Sequence, residues 1–147
     1  MRKVFSNSEK RELGQRLSPF GLSFSKKDKV EQVDDFILLD GAPVCLVSGD
    51  IILPTLKAII SRGIRMSRVV VDMGAVKFVA SGADIMRPGI VSFDDFHDGA
   101  LVLVVDEKHG KPLAVGQAKY SSGEMKRIDK GKVIRNIHYV GDRIWNS

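Results

Sequence analysis

The first fifty residues alternate short apolar segments with polar turns, and this pattern predicts one helix followed by a small antiparallel sheet. Ser8, with two glutamates close behind it, predicts the start of a mostly solvent-facing helix that runs to about Leu17. The apolar segments that follow are typical of short strands, with an Asp-Gly turn between the second and the third. These segments are KVEQVD, FILLD and PVCLVS.

The next apolar segment, LPTLKAIISRG, predicts a helix at the end of the first unit. Pro54 is expected in the first turn of this helix, where its missing N–H is no loss, and Gly63 is expected as the C-terminal cap. The short basic stretch SRGIRMS then predicts a domain boundary. We therefore expect a small N-terminal α/β unit over residues 1–66 and a second domain over residues 67–147.

The second half of the chain has many short apolar segments and one helical one. RVVVD is typical of a buried strand, and GAVKFVASG has the periodicity of a helix that ends at Gly82. Further strands are predicted at IMRPGIVSF, ALVLVVDE and PLAVGQAKY, with a last pair around KVIRNIHYV and DRIW. Many short strands around one main helix predict a compact barrel, so the chain as a whole is expected to be α+β.

Composition indicates a globular protein that favours anionic partners. The chain has 147 residues, 44% of them hydrophobic, with a formal net charge of +5 and a pI near 9.4. Its single cysteine, Cys45, cannot form an internal disulfide, which favours the cytoplasm. Charged residues occupy the place of a signal-peptide core, and no apolar run has the length of a membrane span, so we expect no membrane association.

The residue types that carry catalysis or bind metals are scattered along the chain. Cys45 and the three histidines show no metal-ligand spacing, and no serine lies in a nucleophile motif. The adjacent carboxylates Asp94 and Asp95 lie in a polar turn, which favours a solvated loop over an acid-base pair. We therefore expect no catalytic residues, no metal and no cofactor, and a protein that is not an enzyme.

The charge of the second domain is unevenly distributed. Residues 91–110 contain five acids and one base, whereas residues 113–147 contain seven bases and three acids. Some of these bases could converge on one face of a barrel, with Tyr120 and His138 between them for stacking on bases. An ordinary solvated surface is the open alternative. The cations that flank the predicted strands are Lys119, Lys126, Arg127, Lys130, Lys132 and Arg135.

One stretch resembles a known family. VVVDMGAVKFVASGADIMRPGIV is similar to the opening of the PUA domain of pseudouridine synthases and archaeosine transglycosylases, and Gly99, Gly116 and Gly141 follow in the expected order. The resemblance implies a PUA-type pseudo-barrel of mostly antiparallel strands. The whole chain resembles the archaeal small PUA proteins related to the malignant T-cell amplified sequence family, with FILLDGAPVCLVSGDIILPTLKAI as the N-terminal part of the match.

The resemblance also implies a function. It implies binding of structured RNA, either tRNA or small-subunit ribosomal RNA, in translation initiation, reinitiation or ribosome recycling. The small ribosomal subunit and a partner similar to density-regulated protein are implied as well. The alternative is a protein adaptor in a ribosome-associated or RNA-modification complex that uses the N-terminal unit.

The RNA groove of PUA domains lies between the first helix, the loop after it and the last strands. Lys77 and Arg87 are expected there as surface cations for phosphate, and Gly82 and Ala83 as a source of backbone N–H groups. Asp84 is expected to brace the loop or to accept a hydrogen bond from a base or a 2′-hydroxyl. The full set of expected RNA-binding residues is Lys77, Ser81, Gly82, Ala83, Asp84, Arg87, Lys119, Tyr120, Lys132 and Arg135.

Overall fold

The computed structural model describes residues 1–142, 144 and 145. The chain divides into two compact units, Met1–Arg65 and Met66–Ser147. The longest helix in the described part of the chain has 11 residues, so none there is long and apolar enough to cross a membrane.

The first unit is a five-stranded antiparallel sheet with two helices. Its strands pair in chain order, from β1 at one edge to β5 at the other. The core lies between this sheet and the helices, with Leu17, Val30 and Ile37 almost fully buried. The elements are β1 (Arg2–Val4), α1 (Asn7–Leu17), β2 (Val30–Val33), β3 (Phe36–Leu39), β4 (Ala42–Ser48), β5 (Ile51–Pro54) and α2 (Leu56–Arg62).

Helix α1 begins two residues earlier than the sequence predicts. Ser6, and not Ser8, is the N-cap, and its side-chain oxygen accepts a hydrogen bond from the backbone N–H of Glu9 at 3.2 Å. The Glu9 carboxylate accepts in return from the Ser6 N–H at 3.0 Å, which completes a capping box. The sequence prediction therefore chose the wrong one of two serines that lie two positions apart, although Ser6 with Glu9 three residues later has the spacing of a capping box.

Helix α2 also differs at its start. Pro54 ends β5 instead of opening the helix, and Thr55 caps it by accepting from the Ala58 N–H at 3.1 Å. The hydroxyl oxygen of threonine accepts a hydrogen bond from an N–H at the helix start, whereas the proline side chain has no acceptor. The C-terminal cap at Gly63 is confirmed, with φ of 63° and an N–H that donates to the Ile59 carbonyl.

The second unit is a six-stranded sheet in the order β7-β11-β10-β9-β6-β8. All neighbours are antiparallel except β6 and β9, which are parallel. The two edge strands, β7 and β8, are joined by the short 3-10 turn Arg87–Gly89, so the two ends of the sheet meet. The elements are β6 (Arg68–Val71), α3 (Met73–Val79), β7 (Ile85–Met86), β8 (Ile90–Phe93), β9 (Leu101–Asp106), β10 (Pro112–Ala118), α4 (Ser122–Met125) and β11 (Lys132–Tyr139).

This arrangement confirms the predicted α+β fold with a nearly closed pseudo-barrel of mostly antiparallel strands. The interior of the barrel is apolar, with Val69, Val104 and Ile134 fully buried. Helix α3 packs its buried residue, Val79, against this core, which makes α3 the main helix of the unit. The short helix α4 was not predicted, because four residues are too few for a helical period.

The predicted strand at DRIW is wrong. The chain leaves the sheet after Tyr139 and forms turns over the described residues 140–142 and 144–145, while Arg143 lies outside the described residues. Asp142 explains the difference, since its carboxylate accepts hydrogen bonds from the backbone N–H groups of Tyr139 at 3.0 Å and Trp145 at 2.7 Å. A side chain that accepts from two nearby N–H groups stabilises a turn in place of a strand.

Gly116 lies at a close approach of β10 and β11. The pairing register shifts between Val115 and Gly116, and a Cβ at Gly116 would lie 2.5 Å from Cγ2 of Ile134 and 2.7 Å from the carbonyl oxygen of Arg135. Because the second of these atoms belongs to the backbone, any larger residue forces the two strands apart.

We expect Gly116→Ala to destabilise the second unit by about 1–3 kcal/mol, because the added methyl overpacks a strand pair. Urea unfolding followed by fluorescence of the single tryptophan, Trp145, measures the change. Gly123→Ala is the matched control, since the nearest atom to a Cβ there is the Ser121 hydroxyl at 3.9 Å and the position is helical. Equal unfolding midpoints for the two variants would contradict the close approach of the strands.

Candidate functional site

A cleft of about 690 Å³ opens on the surface of the second unit. One wall is α3 and the loop that follows it, and the other is β7 with the Arg87–Gly89 turn and the first residue of β11. The sheet edge and the helix therefore meet at this cleft. The lining residues are Asp72, Ala75, Phe78, Val79, Gly82, Ala83, Asp84, Ile85, Met86, Pro88, Gly89 and Lys132.

Helix α3 is fixed at the cleft by its N-cap. The carboxylate of Asp72 accepts from the Ala75 N–H at 2.9 Å, and the Asp72 N–H donates to the Gly89 carbonyl at 2.9 Å. The first contact begins the helix, and the second connects the end of β6 to the opposite wall. With Val79 buried on one face, the helix directs Phe78 outward, and its side chain is 59% exposed.

The loop after α3 packs tightly on β11. Gly82 has φ of 99°, and a Cβ there would lie 2.7 Å from Cε1 of Tyr139. Only glycine combines this left-handed backbone with so close an aromatic ring. The N–H groups of Gly82 and Ala83 donate to the carbonyls of Val79 and Phe78, at 3.1 and 3.0 Å. Both N–H groups, which were expected as donors close to RNA, therefore already have acceptors within the protein.

Asn136 and Asp84 hold the same loop from the other side. The Asn136 side-chain amide donates to the carbonyls of Val79 and Ala83, both at 3.0 Å. Oδ1 of Asp84 accepts from the Asn136 backbone N–H at 2.9 Å. Asp84 thus braces the loop, which was one of the two roles expected for it. The Val79 carbonyl at the C-terminal end of α3, which already accepts from the Gly82 N–H, gains a second donor.

The rim of the cleft combines exposed apolar groups with cations. Phe78 and Met86, which is 45% exposed, lie on opposite walls. Nζ of Lys132 lies 3.9 Å from Oδ2 of Asp84, and Nζ of Lys77 lies 5.6 Å from the centre of the Phe78 ring. Large exposed apolar side chains beside lysines suit a ligand that has both flat rings and negative charge.

The expected RNA-binding residues are only partly brought together. Four of them, Gly82, Ala83, Asp84 and Lys132, line the cleft. Lys77 and Ser81 lie beside it at the end of α3, where the Ser81 hydroxyl donates to the Lys77 carbonyl at 2.7 Å.

Three others lie on the β10–β11 pair or just beyond it. Lys119 and Tyr120 follow β10, and Arg135 donates to the side chain of Gln117 at 3.1 Å. None of these three is among the described residues that line the cleft. They remain candidates for contact with a larger ligand that extends beyond the cleft.

Two sequence expectations are corrected by burial. His138 is fully buried, and its Nδ1 lies 2.7 Å from the carboxylate of Asp142, so it is not a surface ring for stacking. Arg87 is half-buried and not an open surface cation, because its Nε donates to the Met125 carbonyl at 2.9 Å and its guanidinium lies 5.3 Å from the centre of the Phe93 ring.

Sequence reasoning missed Phe78, Met86 and Asn136. Phe78 had a usable signal, since the helical period that buries Val79 places an aromatic residue on the polar face. Asn136 had a weaker signal, because asparagine is depleted in strands and Asn136 interrupts the strand segment KVIRNIHYV. Met86 gave no signal, since its exposure depends on the closure of the sheet.

The described residues contain no group of three or more His, Cys, Asp or Glu side chains that could hold a metal. Cys45 lies in the core of the first unit, and burial raises the pKa of its thiol to about 12. The thiol is therefore protonated at neutral pH, which makes it unreactive.

Comparison with known proteins assigns this architecture to a family. Residues 67–140, which include α3, the cleft and β11, match the family model of the PUA domain. The chain belongs to the PUA domain family. The cleft described above is therefore a feature of the PUA domain of this chain.

The relatives agree with the predicted resemblance. The chain is 48% identical over 126 residues to the protein MJ1432 of Methanocaldococcus jannaschii, with 82% of this chain and 78% of that one covered. It is 34% identical to translation machinery-associated protein 20 of Saccharomyces cerevisiae, over 82% of this chain and 74% of that one. Human malignant T-cell-amplified sequence 2 is 37% identical, but the match spans 63% of this chain and 54% of that protein.

Solved structures show the same fold. Hypothetical protein PH0734.1 of Pyrococcus horikoshii OT3 superposes with a TM-score of 0.83 and 34% identity over 99% of this chain and 98% of that one. A chain of an H/ACA RNP bound to a substrate RNA matches with a TM-score of 0.51 and 29% identity, over 64% of this chain and 28% of that one.

The Asp142 carboxylate stabilises the turn that follows β11, next to Tyr139. Burial opposes its ionisation, but hydrogen bonds from His138 and from the N–H groups of Trp145 and Tyr139 outweigh burial, so the pKa of Asp142 is below its ordinary value of 3.8. A carboxyl whose pKa is lowered by folding contributes stability above its unfolded pKa, and that contribution is lost as the pH falls through the folded pKa.

We therefore expect Asp142→Asn to be less stable than the parent at pH 6, with a difference that shrinks below pH 3.8. Urea midpoints from Trp145 fluorescence at several pH values measure this. Asp129→Asn is the control, since Asp129 is exposed. A deficit for Asp142→Asn that stays constant down to the lowest pH would contradict the role of the ionised carboxylate.

Proposed function

We propose that this protein binds structured RNA, either tRNA or small-subunit ribosomal RNA, in initiation, reinitiation or recycling of translation. The PUA domain and the likeness to translation machinery-associated protein 20 support RNA binding and a role connected with translation. The neighbour in an RNA-bound H/ACA RNP supports the use of a PUA domain for RNA. The role is one of binding, without catalysis.

The observation that carries the proposal is the pairing of an exposed aromatic ring with lysines at the rim of one cleft. The Phe78 ring is 59% exposed on the PUA domain and lies beside Lys77, with Lys132 on the facing wall. A base stacks on such a ring whatever its identity, while the lysines contact phosphate. This combination fits unpaired nucleotides that project from a folded RNA, since the bases of a continuous helix are not open to stacking.

The internal ion pair at the rim does not block this role. Lys132 and Asp84 are separated by 3.9 Å, and the Lys132 side chain is 60% exposed. An exposed pair of this kind contributes at most about 1 kcal/mol, so a phosphate can take the place of the carboxylate. Asp84 retains its hydrogen bond to the Asn136 N–H in that case, and the loop stays braced.

We expect Phe78→Ala to weaken RNA binding by about fivefold to a hundredfold, because stacking is worth about 1–3 kcal/mol per base. The slope of log affinity against log salt concentration should not change, since no charge is removed. Fluorescence anisotropy with labelled tRNA and with small-subunit ribosomal RNA fragments measures both quantities. Val91→Ala is the matched control, because Val91 is 58% exposed but does not line the cleft.

Lys132→Gln should lower the magnitude of the same salt slope by about 0.7–0.9, as expected for the loss of one phosphate contact. Lys108→Gln is its control, since Lys108 is an exposed lysine in the turn after β9. If Phe78→Ala and Lys132→Gln both bind RNA as the parent does, the cleft is not the RNA site. Crosslinking followed by sequencing of the attached RNA then distinguishes tRNA from ribosomal RNA.

The other expectations about partners, location and the adaptor role stay predictions. A partner similar to density-regulated protein, docking on the small ribosomal subunit and the cytoplasmic location follow from the resemblance or from composition. The adaptor role of the N-terminal unit has the same standing, because no contact within residues 1–65 favours a particular partner.

A further inference from the structure

We propose that Arg87 is a positioning residue, which uses its guanidinium inside the protein to hold the basic turn Lys126–Lys132 at the edge of the cleft. This inference rests on the proposed RNA binding of that cleft. It departs from the simpler view, in which an arginine beside an RNA groove contacts phosphate directly.

The side chain of Arg87 is directed away from the cleft. The described lining residues include its neighbours Met86, Pro88 and Gly89, but not Arg87 itself. Its Nε donates to the Met125 carbonyl at 2.9 Å, and one terminal nitrogen reaches the Ile90 carbonyl at 3.4 Å. These two hydrogen bonds fix the orientation of the side chain, together with the Phe93 ring, whose centre lies 5.3 Å from the guanidinium.

The same residue holds both ends of the basic turn. The Met125 carbonyl that accepts from Nε is the last of α4, and the Arg87 backbone N–H donates to the Gly131 carbonyl at 2.8 Å. The Met125 carbonyl also accepts from the Ile128 N–H at 3.2 Å, inside the turn. Arg87 therefore connects the wall of the cleft to the segment that follows α4.

The turn that Arg87 holds is rich in cations. Its exposed basic residues are Lys126, Arg127, Lys130 and Lys132. Lys132 lines the cleft, and it pairs with Met86 in the sheet, so the end of the turn is fixed at the rim. A cation contributes most to the affinity for a folded RNA when its position matches that of a phosphate. By holding the turn, Arg87 keeps the cations of the turn in such positions.

Arg87→Lys separates positioning from direct contact, because it retains the positive charge but removes the planar guanidinium with its several donors. A lysine that replaced a phosphate-binding arginine would still neutralise one phosphate, so the salt slope would be unchanged. For a positioning residue, we expect a loss of about tenfold or more in RNA affinity. The salt slope should also fall by at least about 0.7, although the net charge is unchanged, since the turn no longer meets phosphates.

A double-mutant cycle supplies the second readout. In the parent, Lys126→Gln with Lys130→Gln should weaken RNA binding, and in the Arg87→Lys background the same pair should have little further effect. Additive losses would show that Arg87 and the turn act independently, which overturns the inference. Amide hydrogen exchange at Ile128 should also be faster in Arg87→Lys, without RNA present.

Two further variants make every outcome decisive. Arg68→Lys is the matched control, because Arg68 is exposed, does not line the cleft, and undergoes the same exchange of residue type. Phe93→Leu removes the ring beneath the guanidinium and leaves all charges, so it replaces Arg87→Lys if that variant does not fold. If the parent does not bind RNA, the proposed function is overturned. If Arg87→Lys binds RNA with the affinity and the salt slope of the parent, only this inference is overturned.

Discussion

The cleft depends on one set of hydrogen bonds between the loop after α3 and the middle of β11. Asn136 supplies its backbone N–H to Asp84 and its side-chain amide to the carbonyls of Val79 and Ala83, across 52 to 57 positions of sequence. These contacts give the Ala83 carbonyl a donor and the Val79 carbonyl a second one beside the Gly82 N–H. They also fix the distance between α3 and the sheet, and this distance sets the width of the cleft.

Closure of the barrel provides the opposite wall. The edge strands β7 and β8 are consecutive in the chain, so the Arg87–Gly89 turn joins the two ends of the sheet. Strand β7 presents Met86 to the cleft and the turn presents Pro88 and Gly89, while the Asp72 N–H donates to the Gly89 carbonyl from the other wall. The residues that close this small barrel therefore also line the cleft, because they are the ones left at the edge of the sheet.

Polar side chains near the cleft fall into two groups with different roles. Arg87, Asp84, Asn136 and the His138–Asp142 pair are engaged within the protein. Lys77 and Lys132 remain exposed and retain most of their hydration. The hydrogen bonds of the engaged groups hold the walls of the cleft in place, and exposure leaves the two lysines able to bind an anion.

The sequence determined most elements and the class of fold. The strands around RVVVD and ALVLVVDE, the helix ending near Gly82 and the Gly63 cap follow from local periodicity and turn chemistry. Only the tertiary structure decided which side chains reach the cleft. It buried His138 and turned Arg87 inward, because these outcomes depend on the packing of segments far apart in sequence, such as Arg87 and Met125 at 38 positions apart.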